Sequence, residues 1–241
     1  MRPTLLLLGC VAALAPARVT VAAPVGTSVL TGTVTWSKPQ PPILVHVARD
    51  GHVCGAAGPI YERDVGIDGQ GRIREVLVYV ETSTPATKPP PVKVGKSKPS
   101  VLFDQQNCTF VPHLAVARVG TKVRFRNSDA VLHNVHAFHE SGESVANFAL
   151  PFPEQEVEAF TATRPGRYQL RCDAGHGWMS AYLVVLPHSW SAVTDGAGHF
   201  RISGLPPGKH AVVAWHPDLG RAEQSVEVPP TSHPVEVRLV F

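Results

Sequence analysis

Methionine is nearly missing from this chain, with two in 241 residues, Met1 and Met179. Long hydrophobic runs are missing too. The one apolar stretch, LLLLGCVAALA, is broken by Pro16 and Arg18 after about 14 residues, against the roughly 20 that a bilayer core requires, so no transmembrane segment is expected. A surplus of one charge sign is also absent. The formal net charge is +3, which implies no nucleic-acid partner. No nucleophile elbow, P-loop or dinucleotide fingerprint occurs, and an enzyme is not expected. Apolar patterns of helical period are scarce. The 23 prolines and 20 glycines instead supply turns between many short strands, and the chain reads as all-β. Its 44% hydrophobic content is enough for the core of one large or two ordinary domains.

Residues 1–23 read as a signal peptide. Arg2 provides the positive start, the leucine-rich stretch the apolar region, and Val21-Ala22-Ala23 the small residues for cleavage. A periplasmic or secreted location follows. A competing reading takes Leu7-Leu8-Gly9-Cys10 as a lipobox, with a lipid anchor at Cys10. Cleavage after Ala23 removes Arg2 and Arg18, lowers the charge from +3 to +1, and leaves Cys54, Cys108 and Cys172. In an oxidising compartment an odd count implies one disulfide and one thiol with a separate task.

Residues 24–81 contain strand-like pieces, SVLTGTVTW, ILVHVAR and REVLVYV, separated by turns. Residues 82–100 carry five prolines, four lysines and no acid, and read as an exposed loop or linker, or alternatively a basic docking patch. Within 101–187, VGTKVRFRN alternates, with Val119, Thr121, Val123 and Phe125 on one side and Lys122, Arg124 and Arg126 on the other. RPGRYQLRC places Tyr168, Leu170 and Cys172 on an inner face, and DAGHG follows as a loop. Residues 188–241 form a further β unit of about 50 residues, short for a complete sandwich. Either it stands alone, or it borrows strands from 24–81 and leaves 101–187 inserted between the halves.

The chemistry concentrates in RCDAGHGWM. Cys172, His176 and Met179 offer a thiolate, an imidazole and a thioether, a soft set that suits copper better than any hard cation. A second imidazole must come from elsewhere in the fold. His133, just beyond the strand VGTKVRFRN, is the best donor; a histidine-only site from His133, His136 and His139 is the alternative. His113, after Pro112, reads as a surface or hydrogen-bonded residue.

VGTKVRFRNSDAVLHNVH followed by YQLRCDAGHGWMSAYLVV resembles the cupredoxins, the blue-copper family, over roughly residues 101–187. The resemblance implies a Greek-key sandwich holding one copper ion that cycles between Cu(I) and Cu(II). His133, Cys172 and His176 would be its equatorial ligands, Met179 the weak axial ligand, and Asn134 a hydrogen-bonding support for the cysteine loop. It implies a one-electron carrier serving a redox partner protein, with the ring edge of His176 as the exposed electron port. The alternatives are a copper storage or delivery module and a structural protein with a vestigial site. The spacing Cys-x3-His-x2-Met also matches half of a binuclear copper loop, but that site needs a further cysteine where Tyr168 stands. With Cys172 as ligand, Cys54 and Cys108 remain for a disulfide, or stay as two buried thiols. TDGAGHFRISGLPPGKHAVVAWH resembles the carboxypeptidase regulatory-like, transthyretin-like β-sandwich. Together the two parts resemble plastocyanin-like periplasmic proteins, some of them labelled methylamine-utilisation proteins.

Overall fold

In the computed structural model, which describes residues 28–63, 65–81, 99–231 and 233–241, eighteen strands and no helix occur among the described residues. The leader with Cys10 and residues 82–98 of the Pro/Lys-rich stretch lie outside them. No described helix is long and apolar enough to cross a membrane.

The strands are β1 (Ser28–Thr35), β2 (Ile43–Leu44), β3 (Tyr61–Arg63), β4 (Leu77–Glu81), β5 (Ser100–Gln106), β6 (Thr109–Val111), β7 (Leu114–Arg118), β8 (Thr121–Asn127) and β9 (His133–His139). Then come β10 (Ser144–Leu150), β11 (Gln155–Ala162), β12 (Gly166–Arg171), β13 (Ser180–Leu186), β14 (Ser191–Val193), β15 (His199–Leu205), β16 (Gly208–His216), β17 (Gly220–Val228) and β18 (Val235–Val240). A five-stranded sheet, β10-β9-β12-β13-β7, and a four-stranded sheet, β11-β8-β5-β6, contain the nine strands between residues 100 and 186. Both sheets contribute to one core that includes Phe103, Phe125, Leu150, Leu170 and Leu183, all fully buried. Each such side chain stabilises the fold by roughly 1.5–3 kcal/mol relative to exposure. The period-two rule works along β8, where Thr121, Val123, Phe125 and Asn127 are buried and the residues between them are not. Val119 departs from it. It precedes the strand, before the positive-φ Gly120, and is 46% exposed.

The second sandwich draws strands from both ends of the described chain. One sheet is β15-β1-β18, with β1 antiparallel to β15 and parallel to β18; the other is β14-β4-β16-β17. Leu30, Val34, Ile202, Leu205, Val212 and Leu239 fill its core. The two sandwiches meet through Leu77, Leu114, Val184, Leu186 and Trp215. There Trp215 stands edge-on to Tyr182 at 5.6 Å, and the Arg167 guanidinium lies 5.6 Å from its ring centre.

The stretch between β1 and β4 takes a different course. Val45, Val47, Val53, Cys54 and Ile60 pack against the core of the first sandwich. Cys54 is joined there to Cys108 by a disulfide, with Cα atoms 5.1 Å apart. This crossing brings residues 45–60 to the end of the first sandwich where His133 and the 172–179 loop lie.

Candidate metal centre

β9 begins at His133 and β12 ends at Arg171, one residue before Cys172, and these neighbouring strands deliver both side chains to one end of the sandwich. Alternation turns His133, Val135 and Ala137 inward. The loop after Cys172 places His176 over the same point, and its carbonyl accepts the Met179 N–H at 2.9 Å. Cys172 Sγ lies 3.9 Å from His133 Nδ1 and 3.7 Å from His176 Nδ1. The three donor atoms fall within 4.8 Å of one another. All three residues are buried, as is Met179, and both histidines are fully so.

These spacings fit a shared ion. A thiolate and an imidazole nitrogen at about 2.3 and 2.0 Å from one divalent metal, in a trigonal plane, stand about 3.7 Å apart. The donor chemistry, one soft sulfur with two imidazoles and a thioether close by in sequence, suits copper.

Each imidazole is backed by a carboxylate. His133 Nε2 lies 2.9 Å from Asp129 Oδ2, and His176 Nε2 lies 3.0 Å from Asp50 Oδ2. An ionised carboxylate only accepts, so Nε2 is protonated in both rings and the Nδ1 atoms face the sulfur. Burial pulls the His133 pKa down, but Asp129 and the Cys172 sulfur outweigh it and hold it up at about 9. Burial, then the charge of His133, pushes His176 below the ordinary histidine value against the pull of Asp50. Burial would raise Asp129, yet His133 and the N–H groups of Cys108 and Asn107 hold it below the usual carboxylate range.

Asp129 is placed by buried Asn127, whose Oδ1 accepts the Asp129 N–H at 2.9 Å while its Nδ2 donates to the carbonyls of Val131 and Leu150. The Asp129 carboxylate in turn accepts the N–H groups of Asn107 and Cys108 at 2.7 and 2.8 Å. Those two residues form the tight β5–β6 hairpin, with φ of 50° and 55°, as a two-residue turn of this hand requires. The Cys108 carbonyl accepts the Trp178 Nε1–H at 2.9 Å. One hairpin thus braces Asp129, the disulfide and the ligand loop.

Asn134 bonds the cysteine loop twice: its backbone N–H points at Cys172 Sγ at 3.4 Å, and its Oδ1 accepts the Asp173 N–H at 3.2 Å. His136 and His139 are held elsewhere. β9 continues through both, His136 bonding Asp173 and Ser144 and His139 bonding Ser141 and the Pro165 carbonyl, so the three histidines do not converge. His113 lies edge-on to Tyr182 and lines a cavity of about 240 Å³ with Trp178 and Met179. The expected exposed edge of His176 is not there. The ring has no solvent-accessible surface, because Asp50 occupies its outer nitrogen and Arg49 lies against Gly175.

Asp129, Asn127 and Asp50 were missed from sequence. N-S-D, four residues before His133, carries a readable signal in its capacity for an Asx turn. Asp50 carries none, being 126 residues from His176.

No protein-family model matches the chain, and no curated protein does. Several solved structures are similar to part of it. A Cu-containing nitrite reductase from Thermus scotoductus SA-01 is 24% identical over 41% of this chain and 25% of its own, with a TM-score of 0.31. Amicyanin from Paracoccus versutus is 19% identical over 45% and 97%, with a TM-score of 0.32. Auracyanin A, a "blue" copper protein from Chloroflexus aurantiacus, is 20% identical over 37% and 100%, with a TM-score of 0.33. The chain thus spans about a quarter of the nitrite reductase's length.

Proposed function

We propose that the chain is an exported copper protein of the cupredoxin type, whose single centre passes one electron at a time to or from a partner redox protein. The observation that carries this reading is the meeting of Cys172 Sγ with the Nδ1 atoms of His133 and His176 at 3.9 and 3.7 Å inside a buried pocket. Those three residues would hold the ion, with Met179 as a further, weaker donor and Asn134 supporting the thiolate. Copper bound there supplies a Cu(I)/Cu(II) couple that needs little rearrangement of its ligands. The residues do the rest. Adjacent strands fix two of the donors, the Asn134 N–H steadies the sulfur, and the surrounding core excludes water. Cys172 is the one free cysteine among the described residues, which supports one centre and a carrier rather than a multi-copper enzyme. The Cys54–Cys108 disulfide supports an oxidising compartment, in line with a cleaved leader and a periplasmic or secreted location. The second sandwich, read as a carboxypeptidase regulatory-like unit, would carry no catalytic residues.

Metal analysis and an optical spectrum of the copper-loaded protein test the proposal. A strong thiolate-to-copper band in the red region is expected, and Cys172→Ser should abolish it. Colourless copper-loaded wild type would sink the reading. Storage or delivery of copper is a second reading, favoured by the closed outer edge of His176. Copper transfer to an acceptor without any redox cycling would favour it over electron carriage.

A further inference from the structure

We infer that Asp50 is a positioning residue for the metal centre, fixing His176 from outside the sandwich and sealing the imidazole edge through which a partner would otherwise reach the ion. This rests on the copper reading of the site. The ligand loop is itself open to solvent, since Asp173, Gly175 and Gly177 are exposed. His176 between them nonetheless has no accessible surface. Something outside the loop covers the ring, and the contacts identify it: Asp50 Oδ2 lies 3.0 Å from Nε2, and the Arg49 side chain lies so close to Gly175 that an added Cβ would meet it at 2.9 Å. Gly175, with φ of 96°, serves both the turn and this approach.

The cover is built to stay in place. Asp50, at φ 53°, starts a turn in which its carbonyl accepts the N–H groups of Val53 and Cys54 at 2.9 and 2.8 Å. Cys54 is bonded to Cys108, and Val45, Val47, Val53 and Ile60 pack into the core. The two disulfide sulfurs and a His176 ring nitrogen lie within 4.8 Å of one another. Because the Cys108 N–H is also held by Asp129, the carboxylates behind both imidazoles are joined through one covalent link. Asp50 keeps the proton on Nε2, turns Nδ1 toward Cys172, and raises the donor strength of the ring as a carboxylate behind a ligand does.

Two measurements on the full chain test this, one without metal. In the metal-free protein, carbethoxylation of His176 by diethyl pyrocarbonate, located by peptide mapping, should be slow in wild type and at least about tenfold faster in Asp50→Ala, following loss of the cover. Asp50→Asn keeps an acceptor for Nε2–H and should stay close to wild type in this assay. In the copper-loaded protein, Asp50→Ala should weaken Cu(II) retention against a competing chelator by about 10- to 100-fold. Asp50→Asn should fall between the two, and the copper hyperfine splitting should change in both variants. Labelling no faster in Asp50→Ala than in wild type overturns the cover, and unchanged retention and splitting overturn the positioning role. Failure of wild type itself to bind copper would sink the reading of the site, while the metal-free labelling would still decide whether Asp50 seals the ring.

Discussion

The two sandwiches are built by the same period-two rule and differ in what they bury. The second encloses an almost purely apolar core, and its buried histidines, His188 and His216, belong to none of the metal-spaced donor groups among the described residues. The first buries Asn127, Asp129, His133 and His176 together at one end, each with a named hydrogen-bond partner. Burying that many polar groups is destabilising unless each is satisfied. The first sandwich meets the requirement with a network that reaches outside its own nine strands, to Asp50 and the disulfide. The end of the first sandwich that holds His133 and His176 therefore depends on covalent and polar ties, where the second sandwich relies on packing.

The largest expected effect removes the covalent tie. Cys54→Ala with Cys108→Ala frees a loop of 54 residues, which in the chain-entropy account costs about 4 kcal/mol. Hydrogen exchange should show the loss in β5–β13 and leave β1, β15 and β18 close to wild type. Equal loss in both sandwiches would mean that the disulfide ties the second sandwich as strongly as the first.

Next comes pH, where two buried histidines pull in opposite directions. His216, in the second sandwich, is pushed down to about 4 by burial and by the nearby charge of His113, and its Nδ1 accepts the Asp218 N–H. Below pH 6.5 the unfolded chain takes up a proton that the folded ring refuses, so stability falls by about 3 kcal/mol as pH drops from 6.5 to 4. His133 behaves oppositely in the metal-free protein. Its folded pKa of about 9 lies above 6.5, so its contribution is full below pH 6.5 and is lost as pH rises to 9. Urea midpoints across this range should peak near 6.5, with His216→Gln flattening the acid limb and His133→Gln the alkaline limb.

Asp129→Ala is a smaller cut into the same network. It strands the buried Cys108 N–H and the adjacent Asn107 N–H, at a cost of about 2 kcal/mol measured by urea unfolding. It should also lower the alkaline pH dependence, since the group that holds His133 up is gone.

Much of the first sandwich was legible in the sequence because strand alternation is a local code. Alternation along β8, and along β12 into Cys172, is enough to turn Phe125, Leu170 and Cys172 inward, and the glycines after Cys172 mark the loop. The all-β class followed from turn residues. What escaped was non-local. Nothing in ARDGHVCG says that its aspartate closes on His176, because that contact depends on where the disulfide and Ile60 carry the chain. The exposed electron port expected at His176 failed for the same reason. The loop alone implies exposure, and the residues that cancel it come from another part of the chain.

The smallest effects belong to the surface, and there the two sandwiches should become alike. On the first, Lys122, Arg124 and Arg126 of β8 pair with Glu158, Glu156 and Glu154 at β11. On the second, Arg221 of β17 pairs with Glu81 and Glu223, each at 2.7 Å. All of these side chains are about one-third exposed or more, so Coulomb attraction is weakened by water and offset by the entropy of fixing long side chains. Glu158→Ala and Glu223→Ala should each cost about 0.5 kcal/mol or less at low salt, and the difference should vanish near 1 M salt, where the screening length is about 3 Å. A cost above about 1 kcal/mol confined to Glu158→Ala would mean that the first sandwich needs polar ties on its face as well as at the end where His133 and His176 are buried, so that its reliance on polar contacts extends from the buried network to the surface.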